Sequence, residues 1–180
     1  MKLKILAATL FILLVFLATN RNLKRQAKKF LGVEETGNNA GFNNERFERL
    51  MLESGWQPSE AWCMAFVKMI VLRTYPRKKE VIEQTLNSGT QSSFSKMKND
   101  TTGTFIFSQE PQKNAIVIWQ NKSNSSQGHA GIVTKVHNDT FETIEGNTNA
   151  TGSREGQLVA RKTRNLNESS FKLLGFFTIT

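Results

Sequence analysis

The apolar positions fall into three regimes along the chain. Leu3 to Ala18 (LKILAATLFILLVFLA) is an apolar run broken only by Lys4 and Thr9. It has no polar face, so it reads as a membrane-directed segment rather than a helix of the fold. Its uncharged core, Ile5 to Thr19, is long for a signal peptide and short for a span. Cleavage after Ala18 or Thr19 would put Phe16 or Leu17 where a small residue is needed, so an uncleaved signal anchor is expected. Residues 20–31 (NRNLKRQAKKFL) predict a basic helix leading out of the membrane, and Gly32 to Asn44 a Gly- and Asn-rich loop.

Helical periodicity takes over next. Glu45 to Ser54 places Phe47, Leu50 and Met51 on one face, and Gly55 ends it. Pro58 and Ser59 introduce a second helix from about Glu60 to Thr74, apolar on nearly all sides and so predicted to be buried at the centre. A shorter helix fits Lys78–Leu86. Past residue 100 the pattern is that of strands: Ala115–Trp119, His129–Val136, Thr140–Ile144, Leu158–Lys162 and Phe171–Thr178. The second and third are joined by a hairpin at His137-Asn138-Asp139. Helices first and an antiparallel sheet second predict an α+β fold. The domain is placed at 30–180, behind an N-terminal segment 1–29.

Charge and composition narrow the function. The formal net charge is +9, but residues 1–29 hold seven of the 24 basic residues and no acid; the other 17 nearly balance 15 acidic ones. The domain is close to neutral and shows no basic stripe with interleaved aromatics, which argues against a nucleic-acid partner. Two lysines precede the apolar run and five basic residues follow it. On that count the positive-inside rule would leave the domain in the cytoplasm. The single cysteine, Cys63, excludes an intramolecular disulfide, a cysteine-based zinc cluster and a lipid-modified cysteine after the apolar run. Two histidines are too few for most catalytic zinc sites. No metal or cofactor is expected.

Cys63 falls in the first turn of the apolar central helix, where free N–H groups and the helix dipole stabilise a thiolate; a free Cys is also often just a small buried hydrophobe. His129 opens a strand after a polar loop and can point into a cleft, or be an ordinary loop residue. Glu145 and Asn147 end the partner strand, where a hairpin brings them beside His129; a carboxylate or amide there can fix the imidazole. Glu145-Gly146-Asn147 can equally be a plain turn. His137 belongs to the hairpin turn. The joint order (Cys at a helix start, His at the first sheet strand, Glu and Asn at the end of its partner) follows a papain-like logic.

The strings EAWCMAFV, QGHAGIV and TIEGNTN resemble the Cys, His and Glu/Asn motifs of the CHAP family, the cysteine, histidine-dependent amidohydrolases/peptidases, and GVEETGNN resembles a segment ahead of the cysteine in many members. The resemblance covers Phe30 to the C-terminus. It implies a papain-like (NlpC/P60-like) fold with N-terminal helices on an antiparallel sheet, and a peptidoglycan hydrolase acting as N-acetylmuramoyl-L-alanine amidase or endopeptidase; separately from the resemblance, a monomer is expected. It makes Cys63 the nucleophile, His129 the general base, Glu145 its orienting partner and Asn147 a supporting residue. Trp62 is expected beside the nucleophile or simply in the core. Glu35, Asn38 and Asn39 are expected to line the cleft or to build a loop. Members usually carry a Pro-Gly-Asp turn where this chain has Pro111-Gln112-Lys113-Asn114-Ala115. Three rivals stand beside this reading: a non-catalytic wall-binding or adaptor protein on the same fold, a different enzyme (a delivered toxin amidase or a protease acting on proteins), and a structural membrane protein. A wall substrate requires the domain on the wall or periplasmic side, anchored to the membrane or exported.

Overall fold

Outside the N-terminal run, the most apolar stretch of the chain becomes the helix around which the rest packs. The computed structural model describes residues 22–149 and 156–180; the apolar run and the anchor expected from it lie outside the described residues. Among those residues, no helix is long and apolar enough to cross a membrane.

The chain enters through a short helix, α1 (Leu23–Ala27), and a 3₁₀ turn at Lys28–Phe30. The Asn22 side chain caps α1 by accepting from the Arg25 N–H at 3.0 Å. Leu23, Ala27 and Phe30 are buried, so this basic segment docks on the core instead of leading away from it. The folded unit therefore begins ahead of residue 30.

Helix α2 (Glu45–Glu53) is capped by Asn44, which accepts from the Phe47 N–H at 2.9 Å. Helix α3 (Cys63–Thr74) buries nine of its twelve residues, as its lack of a polar face predicts. It starts three residues later than its composition suggests. Ser59 takes a left-handed φ of 74° and the Glu60 N–H turns back to Gln57, so residues 57–60 form a tight turn that leaves Cys63 as the first helical residue. Helix α4 (Lys79–Thr85) follows a 3₁₀ turn at Pro76–Lys78.

Helix α5 (Thr90–Lys98) is not evident in the sequence. Its TQSSFSKMK composition is poor in helix formers, and Thr90, Ser93 and Met97 fill its buried face. Strand β1 (Phe105–Ser108) also escapes detection because it is short; its partner lies about seventy residues away.

The remaining strands are β2 (Ile116–Asn121), β3 (Gly128–Val136), β4 (Thr140–Thr148), β5 (Leu158–Asn165) and β6 (Phe171–Ile179). They form one antiparallel sheet in the order β1-β6-β2-β3-β4-β5, so the expected α+β class with an antiparallel sheet holds. The turn before β2 works without Gly or Asp. Asn114 supplies the left-handed residue (φ 72°), and its side chain accepts from the Lys24 N–H at 3.1 Å.

The main core lies between α3 and one sheet face, with Ile116, Ile118, Ala130, Ile132, Ile144 and Phe177 on the sheet side. The sheet carries a second apolar cluster of Ala115, Val117, Trp119, Val133, Phe141, Phe171 and Phe176. Gly146 sets how closely β4 approaches α3: a Cβ there would lie 2.6 Å from the Trp62 ring and 2.8 Å from Phe66 Cβ. Both neighbours are fully buried, so neither can yield cheaply. Gly146→Ala is expected to destabilise the protein by about 1–3 kcal/mol, read as a lower urea midpoint at unchanged slope.

Candidate active site

Four elements converge on Cys63. Helix α3 supplies it at its first position, after Trp62, which makes no side-chain cap. The N–H groups of the first turn therefore face the sulfur end of the helix without intrahelical partners. The first residue of α5, Thr90, places Oγ1 3.9 Å from Cys63 Sγ. Strand β3 brings His129, and β4 brings Glu145.

His129 and Glu145 are held rigidly. His129 Nε2 lies 2.9 Å from Glu145 Oε2. The imidazole stacks with Trp119 and Phe171, each with its ring centre 5.9 Å away at interplanar angles under 30°. Nε2 is taken by Glu145, so Nδ1 is the nitrogen left for Cys63; it is buried and has no well-aligned hydrogen-bond acceptor. Cys63 and His129 nonetheless act on one another, through a loose hydrogen-bond contact first and through charge second.

The room for Glu145 comes from Gly131, where a Cβ would stand 2.7 Å from Glu145 Cγ. A bulge between Glu145 and Thr148 in the β4–β5 pairing contains Asn147 at φ 52°. The glycine and asparagine of the HAGIV and EGN strings thus have geometric reasons, close approach at Gly131 and Gly146 and a left-handed backbone at Asn147.

Electrostatics make this an ionised array. Burial disfavours the charged form of Glu145, but Arg164 and His129 override it and hold the carboxyl down at about 2. Burial likewise opposes the His129 cation, but Cys63 and Glu145 raise the imidazole to about 9. Burial pushes the Cys63 thiol up; the His129 hydrogen bond and charge, the Thr90 hydroxyl and the Met64 N–H outweigh it and bring it below the ordinary thiol value. Cys63 and His129 titrate as a coupled pair, and the two shifts, thiol down and imidazole up, both favour the thiolate–imidazolium form. Such a pair can attack a carbonyl carbon and deliver a proton to the departing group.

Of the predicted residues, Cys63, His129 and Glu145 come together. Asn147 is buried two residues beyond Glu145. Trp62, Glu35, Asn38 and Asn39, expected either near the substrate or in the core and a loop, have the following surroundings. Trp62 is completely buried, edge-on to Phe42 at 5.0 Å. Its Nε1–H donates to Glu35 Oε2 at 2.8 Å. Glu35 Oε1 accepts from the Asn39 N–H at 3.2 Å, and the Asn39 carbonyl accepts from the Ser59 N–H at 2.7 Å. Trp62, Glu35 and Asn39 therefore latch the loop to the start of α3, while Asn38 is exposed at φ 50°. Trp62 is a core residue because the apolar ring gains more from the aromatic cluster than from a wet cleft. His137 stays apart, bonded to Glu142 in the exposed hairpin. Among the described residues, no three of His, Cys, Asp and Glu cluster as metal ligands.

Sequence reasoning misses Arg164, Thr143, Thr90, Trp119 and Phe171. Thr143 opens the TIEGNTN string, where nothing marks it as a partner of Glu145; the other four lie outside the three strings and reach the site across the sheet or from the undetected α5. Arg164 sits one alternation step from Lys162 in an ordinary polar strand pattern, which carries no signal of a buried pair.

The family model for the CHAP domain matches residues 54–147. This chain belongs to the CHAP family. The match spans the start of α3, β3 and β4, and so includes Cys63, His129 and Glu145. Among solved structures, the chain resembles the wild-type endolysin LysIME-EF1. The TM-score is 0.53 at 15% identity, over 87% of this chain and 62% of the endolysin's. The fold is therefore shared, and the CHAP chain described here spans less than two thirds of the endolysin's length. No curated protein matches the chain.

Because Cys63 is the single cysteine, thiol labelling reports on it alone. Wild-type protein at pH 7 is expected to react with iodoacetamide at least about tenfold faster than His129→Ala. Equal rates, measured by mass spectrometry of the intact chain, would contradict the ion-paired thiolate.

Proposed function

We propose that this chain hydrolyses amide bonds of peptidoglycan by Cys–His acyl transfer, as an N-acetylmuramoyl-L-alanine amidase or an endopeptidase. The observation that carries the reading is the buried Cys63–His129–Glu145 array within the residues matched by the CHAP family. The structural likeness to an endolysin supports the wall as substrate.

The Cys63 thiolate attacks the amide carbonyl carbon, and the carbonyl π electrons move to oxygen. The oxyanion sits at the start of α3, where unpartnered N–H groups, including that of Cys63, stabilise it. His129 passes its Nδ1 proton to the nitrogen of the scissile bond as the C–N bond breaks, leaving a thioester and a free amine. Neutral His129 then takes a proton from water, the hydroxide attacks the thioester, and the thiolate leaves with the imidazolium restored. Glu145 holds the ring and balances its charge throughout. Asn147 supports the bulge that places Glu145. A wall substrate puts the domain on the wall-facing side of the membrane.

Purified peptidoglycan digested with the full chain is expected to release fragments with wild type and none with Cys63→Ala. Fragment masses separate the amidase from the endopeptidase, and equal release by both proteins would sink the proposal. The pH profile of kcat/KM is expected to be bell-shaped. The acid limb reports formation of the thiolate pair and lies below the ordinary thiol value. The alkaline limb, where His129 loses its proton, lies near 9.

A further inference from the structure

Glu145 has no exposure, and its carboxylate is claimed from two sides. Arg164 Nε donates to Oε1 at 2.9 Å, and an Arg164 terminal nitrogen donates to Oε2 at 2.6 Å. Thr143 Oγ1 also donates to Oε1, at 2.5 Å. The oxygen that meets His129 is therefore the same one that takes the shorter Arg164 bond. Arg164 is only 5% exposed. Its guanidinium lies 5.2 Å from the Trp119 ring and 5.9 Å from Phe171, the two rings that flank His129. Guanidinium and imidazole thus share both an aromatic mount and a carboxylate oxygen.

On the reading that Cys63 and His129 form the reactive pair, we propose that Arg164 is a positioning residue of the site. It fixes the Glu145 carboxylate in the plane and charge state in which Glu145 holds His129 against Cys63. The forked guanidinium suits this role because two parallel N–H bonds fix the carboxylate plane, which a single ammonium donor does not do. Charge counting points the same way. Thiolate, imidazolium, carboxylate and guanidinium alternate in sign and sum to zero. Without Arg164 the buried array would carry one uncompensated negative charge. The other charged groups around it are peripheral: Lys162 on β5, which donates to the Asn149 carbonyl at 2.7 Å, and Glu168 in the β5–β6 connection.

The direction of the effect follows. A cation next to the array favours the deprotonated form of every member, so its loss favours the protonated forms of both Cys63 and His129. Glu145 stays ionised through its contact with the imidazolium. Both limbs of the pH profile should then move upward together. A residue that only stabilised the fold would lower the amount of native protein and leave the limbs in place.

The test is the pH dependence of Cys63 alkylation by iodoacetamide, with kcat and KM on peptidoglycan, for full-length wild type, Arg164→Met and Arg164→Lys. Native content of each is fixed by a thermal melt. Arg164→Met is expected to shift both limbs upward by about one pH unit. It should lower kcat about tenfold, with KM within about twofold, because Arg164 touches no substrate. Arg164→Lys keeps the charge and loses the fork, so its limbs should stay near wild type while kcat still falls. That variant carries the test alone if Arg164→Met does not fold. Unshifted or lowered limbs in a folded Arg164→Met protein overturn the proposal, as does full kcat in Arg164→Lys. If the wild type shows no lowered thiol limb, the thiolate reading itself fails; if the wild type behaves as expected and the variants match it, only the role of Arg164 fails.

Discussion

A carboxylate cut off from water must be held ionised by its neighbours, and Glu145 is the group on which this constraint falls. It has no exposure, yet it stays charged because Arg164 grips both of its oxygens and His129 Nε2–H donates a further bond to one. Breaking one partner out of such a buried set strands a charge in a medium that cannot solvate it. Much of the local architecture can be read as a consequence. Gly131 clears space for the Glu145 side chain, Thr143 fills a remaining acceptor position, and the bulge at Asn147 adjusts the strand beyond it. The charge then passes outward through the imidazole to Cys63.

The helical half answers a different requirement, that of placing one sulfur at a helix end and keeping it there. Helix α3 is apolar on nearly every side and so is held by the core, not by caps of its own. The aromatic cluster of Phe42, Phe47, Trp56 and Trp62 packs the incoming loop against its start. The Trp62–Glu35 bond ties that loop to the residue next to Cys63. Glu35 and Asn39, for which the sequence leaves cleft lining and a loop role both open, take part in holding the helix end. The α3 first turn and Thr90 at the start of α5 then meet at the sulfur.

The elements that the sequence shows well are those with strong local periodicity. The apolar α3, the amphipathic α2 and the hairpin of β3 and β4 all form where their patterns place them, each with one end as expected and the other displaced by up to four residues. The displacements have local causes, such as the left-handed Ser59 that delays α3 and the bulge that carries β4 on past Glu145. Helix α5 and strand β1 are invisible because their stability comes from packing and long-range pairing, not from propensity. The segment at 22–30 reads as a charged tether because its basic residues dominate the pattern, whereas Leu23, Ala27 and Phe30 are what the core uses.

The α+β order of elements, the family resemblance and the candidacy of Cys63, His129 and Glu145 are legible before the chain folds, because residue type, helix and strand periodicity and motif order are local properties. How those residues are charged and held becomes visible once the fold brings their partners in. Arg164 and Phe171 reach Glu145 and His129 from β5 and β6, Trp119 stacks on His129 from the adjacent β2, and Thr90 reaches Cys63 from a helix with no pattern of its own. Whether a buried carboxyl is ionised depends on the sum of charges within a few ångströms. No stretch of sequence contains that sum; folding assembles it.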